Sequence, residues 1–573
     1  MFSHRPKRIH RTTDIAPDEI FLDSQNSPKF DRNQFEGRIE RPIGRSAVLW
    51  FSIVIAGLGL LLTGRVFMLT VIRGDALYAQ SEQNRLDSTI LFAERGVIYD
   101  RNGVPLAWNE PFNEATSTAT TTLQTDFARR VYIPESGFSH ILGYVSYPKK
   151  DRAGNYFQET MDGVAGTEKM YNDMLAGSPG RKIVERDALG DTVSESVIDT
   201  PEAGTPVYLS IDSRIQHKLY ELIGELAGKV GFHGGASAII DVRTGEVLAL
   251  VSLPEYDSNL MTDGGDTNAI AEYQLDPRTP FLNRAIAGLD TPGSILKPFM
   301  AIGALEEKII DPMKQIYSDG ALRVPNPYDP EHPTVYKDWK AHGWVDMRHA
   351  IAVSSNVYFM TIGGGLGDQK GLGIKNIEKY SKLFEIGEKT GIDLPGEVEG
   401  IIPSEAWKAK IFPDDPWRVG DTYNTSIGQY GFQATPLQMA RAAALLANDG
   451  LLITPHVRMD SGVAPSDRIV VSQSSLDVVR EGMRLCAQEG TARALNVSYV
   501  EMAGKTGTAE LGVSKANVNS WVMGFWPYEN PRYAFATVLE QGPATNLVGS
   551  ASVMRNLVDW MHANTPEYLE ELP

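Results

Sequence analysis

A serine followed one helical turn later by a lysine stands at Ser294 and Lys297, within T-P-G-S-I-L-K-P-F at residues 291–299. A serine hydroxyl is a weak nucleophile until a base takes its proton. A lysine at i+3 lies on the same helical face and can be that base if its own charge is suppressed. Pro292-Gly293 suits a turn that opens a helix, which predicts Ser294 in the first turn with backbone N–H groups unpaired. Spacing alone is weak evidence, because at average composition a chain of this length should contain S-x-x-K about twice. The second copy, Ser146-Tyr-Pro-Lys149, has a proline between the pair that spoils a helical turn, and it reads as a loop.

Two further stretches have the residue types that such a nucleophile needs. In A-V-S-S-N-V-Y-F-M, Ser354 and Asn356 put a hydroxyl and an amide two residues apart, able to relay a proton and bind a peptide group. In M-A-G-K-T-G-T-A-E, a strand would turn Thr506 and Thr508 to one face and Lys505 with Gly507 to the other. Gly507 admits close approach by another element, and paired threonines can hold a carboxylate. A second K-T-G begins at Lys389 but continues I-D-L-P-G-E, which is turn chemistry, and it reads as structural.

These residues must be positioned by a chain of 573 residues, enough for two or three domains with a sizeable core. A net charge of −18 argues against nucleic acid as a partner. One cysteine, Cys486, excludes an intramolecular disulfide and leaves no thiol pair for a metal; in M-R-L-C-A it reads as a small buried apolar residue. Nineteen uncharged residues separate Arg45 from Arg65, and V-F-M-L-T-V-I extends the apolar run to Ile72. At about 1.5 Å per residue a helix of that length nearly matches a hydrocarbon core of roughly 30 Å. Five Lys/Arg lie in the twenty residues before the span and two in the twenty after it, which predicts a cytoplasmic amino terminus with the rest of the chain outside. No A-x-A site follows, so residues 46–72 are expected to be an uncleaved single-pass anchor, and the polar, aperiodic residues 1–45 a disordered cytoplasmic tail.

Residues 73–205 are expected to form one domain and 206–573 another. The first contains a hairpin signal at Asp100-Arg-Asn-Gly103 and a helix over Gly166–Leu175. The second opens with V-Y-L-S-I-D as a strand. A helix capped at Asp212 or Ser213 follows, with Ile215, Leu219, Leu222, Ile223 and Leu226 at helical spacing. A hairpin then turns at Thr244-Gly245, apolar helices follow Ser294 and recur at Pro436–Leu446, and W-V-M-G-F-W and Y-A-F-A-T-V-L-E are late strands. Strands, then helices, then strands again predict an α+β domain whose terminal strands share one sheet.

S-x-x-K, S-x-N and K-T-G in that order are the motif set of the serine penicillin-recognising enzymes, and the chain resembles a class B penicillin-binding protein, a monofunctional peptidoglycan D,D-transpeptidase with one amino-terminal anchor. R-G-V-I-Y-D-R-N-G-V-P-L-A (95–107) and G-V-A-G-T-E-K-M-Y-N-D-M-L-A-G-S-P-G (163–180) resemble that class's pedestal motifs. V-Y-K-D-W-K-A-H-G (335–343) and G-D-T-Y-N-T-S-I-G-Q (420–429) resemble its elongation-type members. The resemblance implies a transpeptidase domain of the penicillin-binding-protein/β-lactamase-like fold on a β-rich pedestal. It implies Ser294 as nucleophile, Lys297 as general base, kept neutral by burial and Lys505, and Ser354 as proton relay. Asn356 would bind the substrate amide, Lys505, Thr506 and Thr508 the terminal carboxylate, and the N–H groups of Ser294 and Thr508 the oxyanion, with Gly507 in the same strand. Implied ligands are lipid-linked or nascent peptidoglycan stem peptides and β-lactams. The implied partner is a SEDS-family membrane glycosyltransferase of the elongation machinery, met through Trp50–Ile72 and Arg95–Ala107. No metal or organic cofactor is required. Some elongation-type members hold a metal on carboxylates, histidine and cysteine; here the region offers Asp319, Asp338 and His342 without cysteine, and these are expected to be solvated loop groups. The alternatives are a division-type transpeptidase, a β-lactamase, which would lack anchor and pedestal, and a β-lactam sensor, which would need a cytoplasmic signalling domain.

Overall fold

Five strands build the sheet that carries the site, four of them buried on both faces along most of their length and the fifth, at the edge, alternating. In chain order they are Gly234–Asp241 (β1), Val247–Leu253 (β2), Ala503–Leu511 (β3), Asn517–Trp526 (β4) and Tyr533–Pro543 (β5). They form an antiparallel sheet of order β2-β1-β5-β4-β3. First and last strands meet at the centre, where Ala238 faces Ala536. The structure is a computed structural model and describes residues 44–78, 86–111, 127–186, 191–326, 329, 331–459, 461 and 467–570. The expected disordered tail lies, up to residue 43, outside the described residues.

The helices that matter for the site are Ser213–Val230 (α1), Lys297–Glu306 (α2), Met347–Ala352 (α3), Asn356–Gly364 (α4), Pro436–Ala447 (α5), Gln473–Gln488 (α6) and Ser550–Asn564 (α7). α1 and α7 cover one face of the sheet, packing Ile215, Leu219, Ile223 and Leu557 on Ile239, Leu248, Trp526 and Phe535. α5 lies buried along its whole length on the other face, against Ala236, Ala238, Ile240 and Met523. Asp212 starts α1 by accepting from the N–H groups of Arg214 and Ile215, and Gly231 ends it with φ +89°. Thr435 and Gln438 form a capping box at the head of α5, with Pro436 just inside. The hairpin at Thr244-Gly245 has Gly245 at φ +84°, and Cys486 is fully buried on α6.

In the amino-terminal region, Val207–Tyr208, Ile98–Tyr99, Pro105–Glu110 and Arg129–Tyr132 make a four-stranded sheet in that order. Of V-Y-L-S-I-D, expected as a strand of the second domain, only Val207–Tyr208 is extended in a ladder, and it pairs in parallel with Ile98–Tyr99 instead. By hydrogen bonding the start of this segment joins the amino-terminal sheet. The helix expected over Gly166–Leu175 is two short helices, Gly166–Met170 and Asn172–Leu175, interrupted at Tyr171. Ser146 and Lys149 fall in separate two-residue strands, not on a helical turn.

The two pedestal motifs meet through a buried ion triad. Arg95 Nε donates to Glu168 Oε2 at 2.6 Å and Arg130 Nε to Glu168 Oε1 at 2.8 Å, with all three side chains at most 1% exposed. Arg95 also donates to Met161 O, Glu168 O and Asn172 Oδ1. Burial works against the Glu168 charge, but the two guanidiniums more than offset it and hold the carboxyl below its ordinary range. Asp100, buried in the first pedestal turn, accepts from Asn102 N, Val104 N, Ser213 N and Ser213 Oγ, tying the hairpin to the start of α1.

The described residues among 44–87, with 186 and 191, form a separate unit from the remainder. In it, Arg45–Phe67 is α-helical and continues as a π-helical turn through Ile72. The 28 residues Arg45–Ile72 are long and apolar enough to cross a membrane.

Removing the anion from the triad leaves two buried cations facing each other. Glu168→Ala is expected to destabilise the cooperative unit containing the pedestal by about 3–5 kcal/mol, measured by chemical denaturation of the detergent-solubilised chain. An unchanged midpoint would show that water reaches the two guanidiniums.

Candidate active site

Ser294 lies on a single 3-10 turn, Gly293–Leu296, that passes directly into α2 at Lys297. The expected single helix is therefore two helix types joined between the pair, and Ser294 remains half-exposed while Lys297 is fully buried. The turn is clamped from two sides. Gly293, at φ +57°, donates its N–H to Gly428 O at 3.0 Å. On the other side β3 comes so close that a Cβ on Gly507 would stand 2.7 Å from Pro292 O and 3.2 Å from Ile295 N. Only glycine lets this strand lie against the turn that carries Ser294. Trp521 of β4 adds a hydrogen bond from Nε1 to Thr291 O at 2.9 Å.

Lys297 Nζ is 2.8 Å from Ser354 O, 2.7 Å from Asn356 Oδ1 and 3.2 Å from Ser354 Oγ. Burial is the largest influence on this amine, the charge of Lys505 adds to it, and together they outweigh the attraction of Asp338, holding it well below the ordinary lysine range. A neutral amine has two N–H donors, which suit Ser354 O and Asn356 Oδ1, and one lone pair, which can accept from a hydroxyl. The arrangement is that of a base.

Ser354 and Asn356 flank the junction between α3 and α4. Ser355 is the N-cap, its hydroxyl accepting from Tyr358 N. Ser354 has φ +57°, a left-handed conformation that costs a serine about 1–2 kcal/mol. That turn aims its carbonyl and hydroxyl together at Lys297.

On β3 the expected alternation holds. Lys505 and Gly507 are buried, Thr506 half-buried and Thr508 exposed. Lys505 Nζ donates to Thr506 O at 2.8 Å and is drawn by burial down to about 8. The Thr506 hydroxyl donates to Thr491 Oγ1 at 2.5 Å, and Thr491 Oγ1 is 3.4 Å from Cys486 Sγ. Of the three groups expected to hold a carboxylate, only Thr508 stands on the open surface. Lys505 is buried on the opposite face of the strand. β3 is an edge strand of the sheet, so alternate N–H groups point away from β4 and are available to a ligand. Lys389, by contrast, is exposed in a loop where Glu397 accepts from Thr390 N, Thr390 Oγ1 and Gly391 N.

Of the metal-region residues, Asp319 is solvated as expected, but Asp338 and His342 are not. The side chains of Asp338 and His342 are 0% and 1% exposed. Asp338 accepts from Asn356 N, Val357 N and Ser355 Oγ. Burial pushes against its charge, yet these donors and the charge of Lys297 hold it below its ordinary value. Asp319 is half-exposed and paired with Arg323, and no three His, Cys, Asp or Glu gather as a metal site among the described residues. His342 Nε2 faces Asp338 Oδ1 at 3.5 Å, and two such groups do not fit the four-ligand set that a structural metal takes. Sequence reading missed Thr491, for which E-G-T-A-R carries no signal. It saw Asp338 in K-D-W-K without its role and Gly428 only within a longer motif.

The family described as the penicillin binding protein transpeptidase domain matches residues 235–559, and the penicillin-binding protein dimerisation domain matches residues 122–209. The chain is 31% identical to the peptidoglycan D,D-transpeptidase MrdA of Acinetobacter baumannii, over 84% of this chain and 83% of the relative. The structure resembles PBP2 of Helicobacter pylori in its complex with MreC, at TM-score 0.68 and 28% identity, over 84% of this chain and 99% of that one. It also resembles a chain of a peptidoglycan synthase complex solved for its coordination of polymerization and crosslinking, at TM-score 0.68 and 26% identity, over 91% of this chain and 98% of that one.

Lys505 is a base whose value is lowered, so its charge is present below about 8 and lost above it. Acylation of Ser294 by a fluorescent penicillin should therefore decline as pH rises through about 8. Lys505→Arg should move that alkaline limb upward, since a guanidinium stays charged. A limb at the same pH in both proteins would assign it to another group.

Proposed function

This chain belongs to the penicillin-binding protein transpeptidase family, and from that membership and the geometry of its site we infer how it acts. It is a serine-type peptidoglycan D,D-transpeptidase of the elongation type, a penicillin target that crosslinks stem peptides as cells lengthen and keep their shape. The observation that carries the mechanism is the fully buried Lys297 amine one turn from Ser294, hydrogen-bonded to Ser354 and Asn356 and to no carboxylate.

In the proposed reaction the Ser294 oxygen attacks the carbonyl carbon of the penultimate D-alanine of a stem pentapeptide while neutral Lys297 takes its proton. The N–H groups of Ser294 and Thr508 receive the oxyanion, each worth about 3–4 kcal/mol in such sites. The Ser354 hydroxyl, 3.2 Å from Lys297 Nζ, returns the proton to the leaving nitrogen as the carbon–nitrogen bond breaks and D-alanine departs. Asn356 has its amide oxygen on Lys297, so its NH2 end meets the substrate. Thr508, with the Lys505 charge beneath, meets the terminal carboxylate. An amine of a neighbouring stem then attacks the Ser294 ester, and the serine regains its proton as the crosslink forms.

Arg45–Ile72 is read as a single membrane anchor with the amino terminus in the cytoplasm, supported by the excess of Lys/Arg before it. The 73–205 pedestal and 206–573 transpeptidase domain then lie outside. A transpeptidase joins strands that another protein polymerises, and a SEDS-family membrane glycosyltransferase is the partner we assign, through the anchor and the Arg95–Ala107 turn. The peptidoglycan synthase complex solved for one relative, which coordinates polymerization and crosslinking, supports an assembly of this kind.

The purified full-length chain, given glycan strands bearing pentapeptide stems, should release D-alanine and yield crosslinked muropeptides, and Ser294→Ala should do neither. Crosslinks made by Ser294→Ala would remove the mechanism. Affinity purification from membranes should recover the polymerase with the wild type and much less with a chain whose anchor is exchanged and pedestal turn altered. Equal recovery would defeat the assigned surface.

A further inference from the structure

We propose that Asp338 is the positioning residue of this site, holding the Ser354–Asn356 turn in its working shape through hydrogen bonds and without a metal. The proposal rests on the reading of Ser294 and Lys297 as the acylating pair and goes beyond it by naming what keeps their oxygen partners in place. The Asp338 carboxylate is fully buried and receives five donors. Oδ1 accepts from Trp339 N at 2.9 Å and Asn356 N at 3.0 Å. Oδ2 accepts from Ser355 Oγ at 2.9 Å, Val357 N at 3.0 Å and Ser318 Oγ at 3.2 Å. Two of these donors are the first N–H groups of α4, which have no partner within their own helix.

Asn356 is the link. Its backbone N–H goes to Asp338 and its side-chain oxygen to Lys297. Ser354, one residue before the cap, sits in the left-handed conformation that a serine leaves unless both ends of the turn are held. Lys297 holds it from the side of α2, and Asp338 holds it from the side of the 318–345 hairpins. Without the carboxylate, the turn relaxes and withdraws Ser354 O, Ser354 Oγ and Asn356 Oδ1 from the amine together. A divalent cation would find the lone pairs of this carboxylate taken and Asp319 paired with Arg323. The carboxylate that could serve a metal elsewhere in the family thus serves a helix start here.

The test uses the full-length chain in detergent and resolves acylation by a fluorescent penicillin into its binding constant and its chemical rate. Asp338→Asn keeps the shape but sets N–H against N–H. It should lower the chemical rate about 10- to 100-fold, as a small misplacement of reacting groups does, and leave the binding constant nearly unchanged. Residue-resolved hydrogen exchange should show the Asn356 and Val357 amides losing protection while α2 keeps its own. EDTA treatment of the wild type should change neither rate nor protection, and Asp319→Asn should behave as wild type. Normal rate and protection in Asp338→Asn, or a loss on chelation that matches it, would overturn the proposal. If thermal melting shows Asp338→Asn unfolded, the double variant Ser318→Ala/Ser355→Ala, which retains the charge, decides by the same two readouts. A wild type unlabelled at Ser294, with exchange still lost in the variant, would refute the acylation reading and leave the positioning role standing.

Discussion

An ammonium group taken out of water loses several kcal/mol of solvation unless an anion stands beside it, and Lys297 is fully buried with three oxygen partners, none of them a carboxylate. The acyl-transfer half of the molecule is arranged around that condition. α2 carries the lysine into the core immediately after leaving its serine at the surface. The start of α4 supplies neutral acceptors, and β3 brings a second lysine whose charge discourages the first. The negative charge of Asp338 is held off the amine, bonded to the backbone N–H of Asn356 while the side chain of the same residue meets the amine.

The pedestal solves the opposite problem. There Glu168 is as deeply buried as Lys297, but it lies between Arg95 and Arg130 and keeps its charge. Pairing preserves ionisation and isolation removes it, and the chain uses each where it is needed. The triad joins two motifs separated by about seventy residues in the chain. Asp100 and Asp212 then tie the first of these motifs to α1, which lies against the sheet that bears Lys505.

The five-stranded sheet was readable because most of its strands are largely apolar runs between turn signals, and the remaining one carries the period-two pattern of Lys505–Thr508. The S-x-x-K pairs at Ser294 and Ser146 were separable on the position of proline alone. Reading failed where a local pattern had two possible partners. V-Y-L-S-I-D is a plausible strand, but Ile98–Tyr99, more than a hundred residues earlier, takes its first two residues and leaves the rest to lead into α1. Tyr171 breaks the Gly166–Leu175 helix, and its hydroxyl is bonded to Asp393, a contact no window of sequence contains. Asp338 looked like one more loop carboxylate because nothing in K-D-W-K says that a helix will begin beneath it.

What the sequence determined by itself is the chemistry that depends on neighbours along the chain. That includes the one-turn spacing of Ser294 and Lys297, the two faces of Lys505–Thr508, the cap of α1, and an apolar run long enough to cross a bilayer. These follow from the helix and strand repeats and from the sterics of proline and glycine, which act over a few residues. The protonation of Lys297, the left-handed turn at Ser354, the commitment of Thr506 to Thr491 and the burial of Asp338 were decided only by the tertiary structure. Each depends on how much water is excluded and on which groups arrive from distant parts of the chain: Ser354 and Asn356 reach Lys297 from 57 and 59 residues away. Desolvation is a property of a packed volume, and a linear order of residues does not contain it.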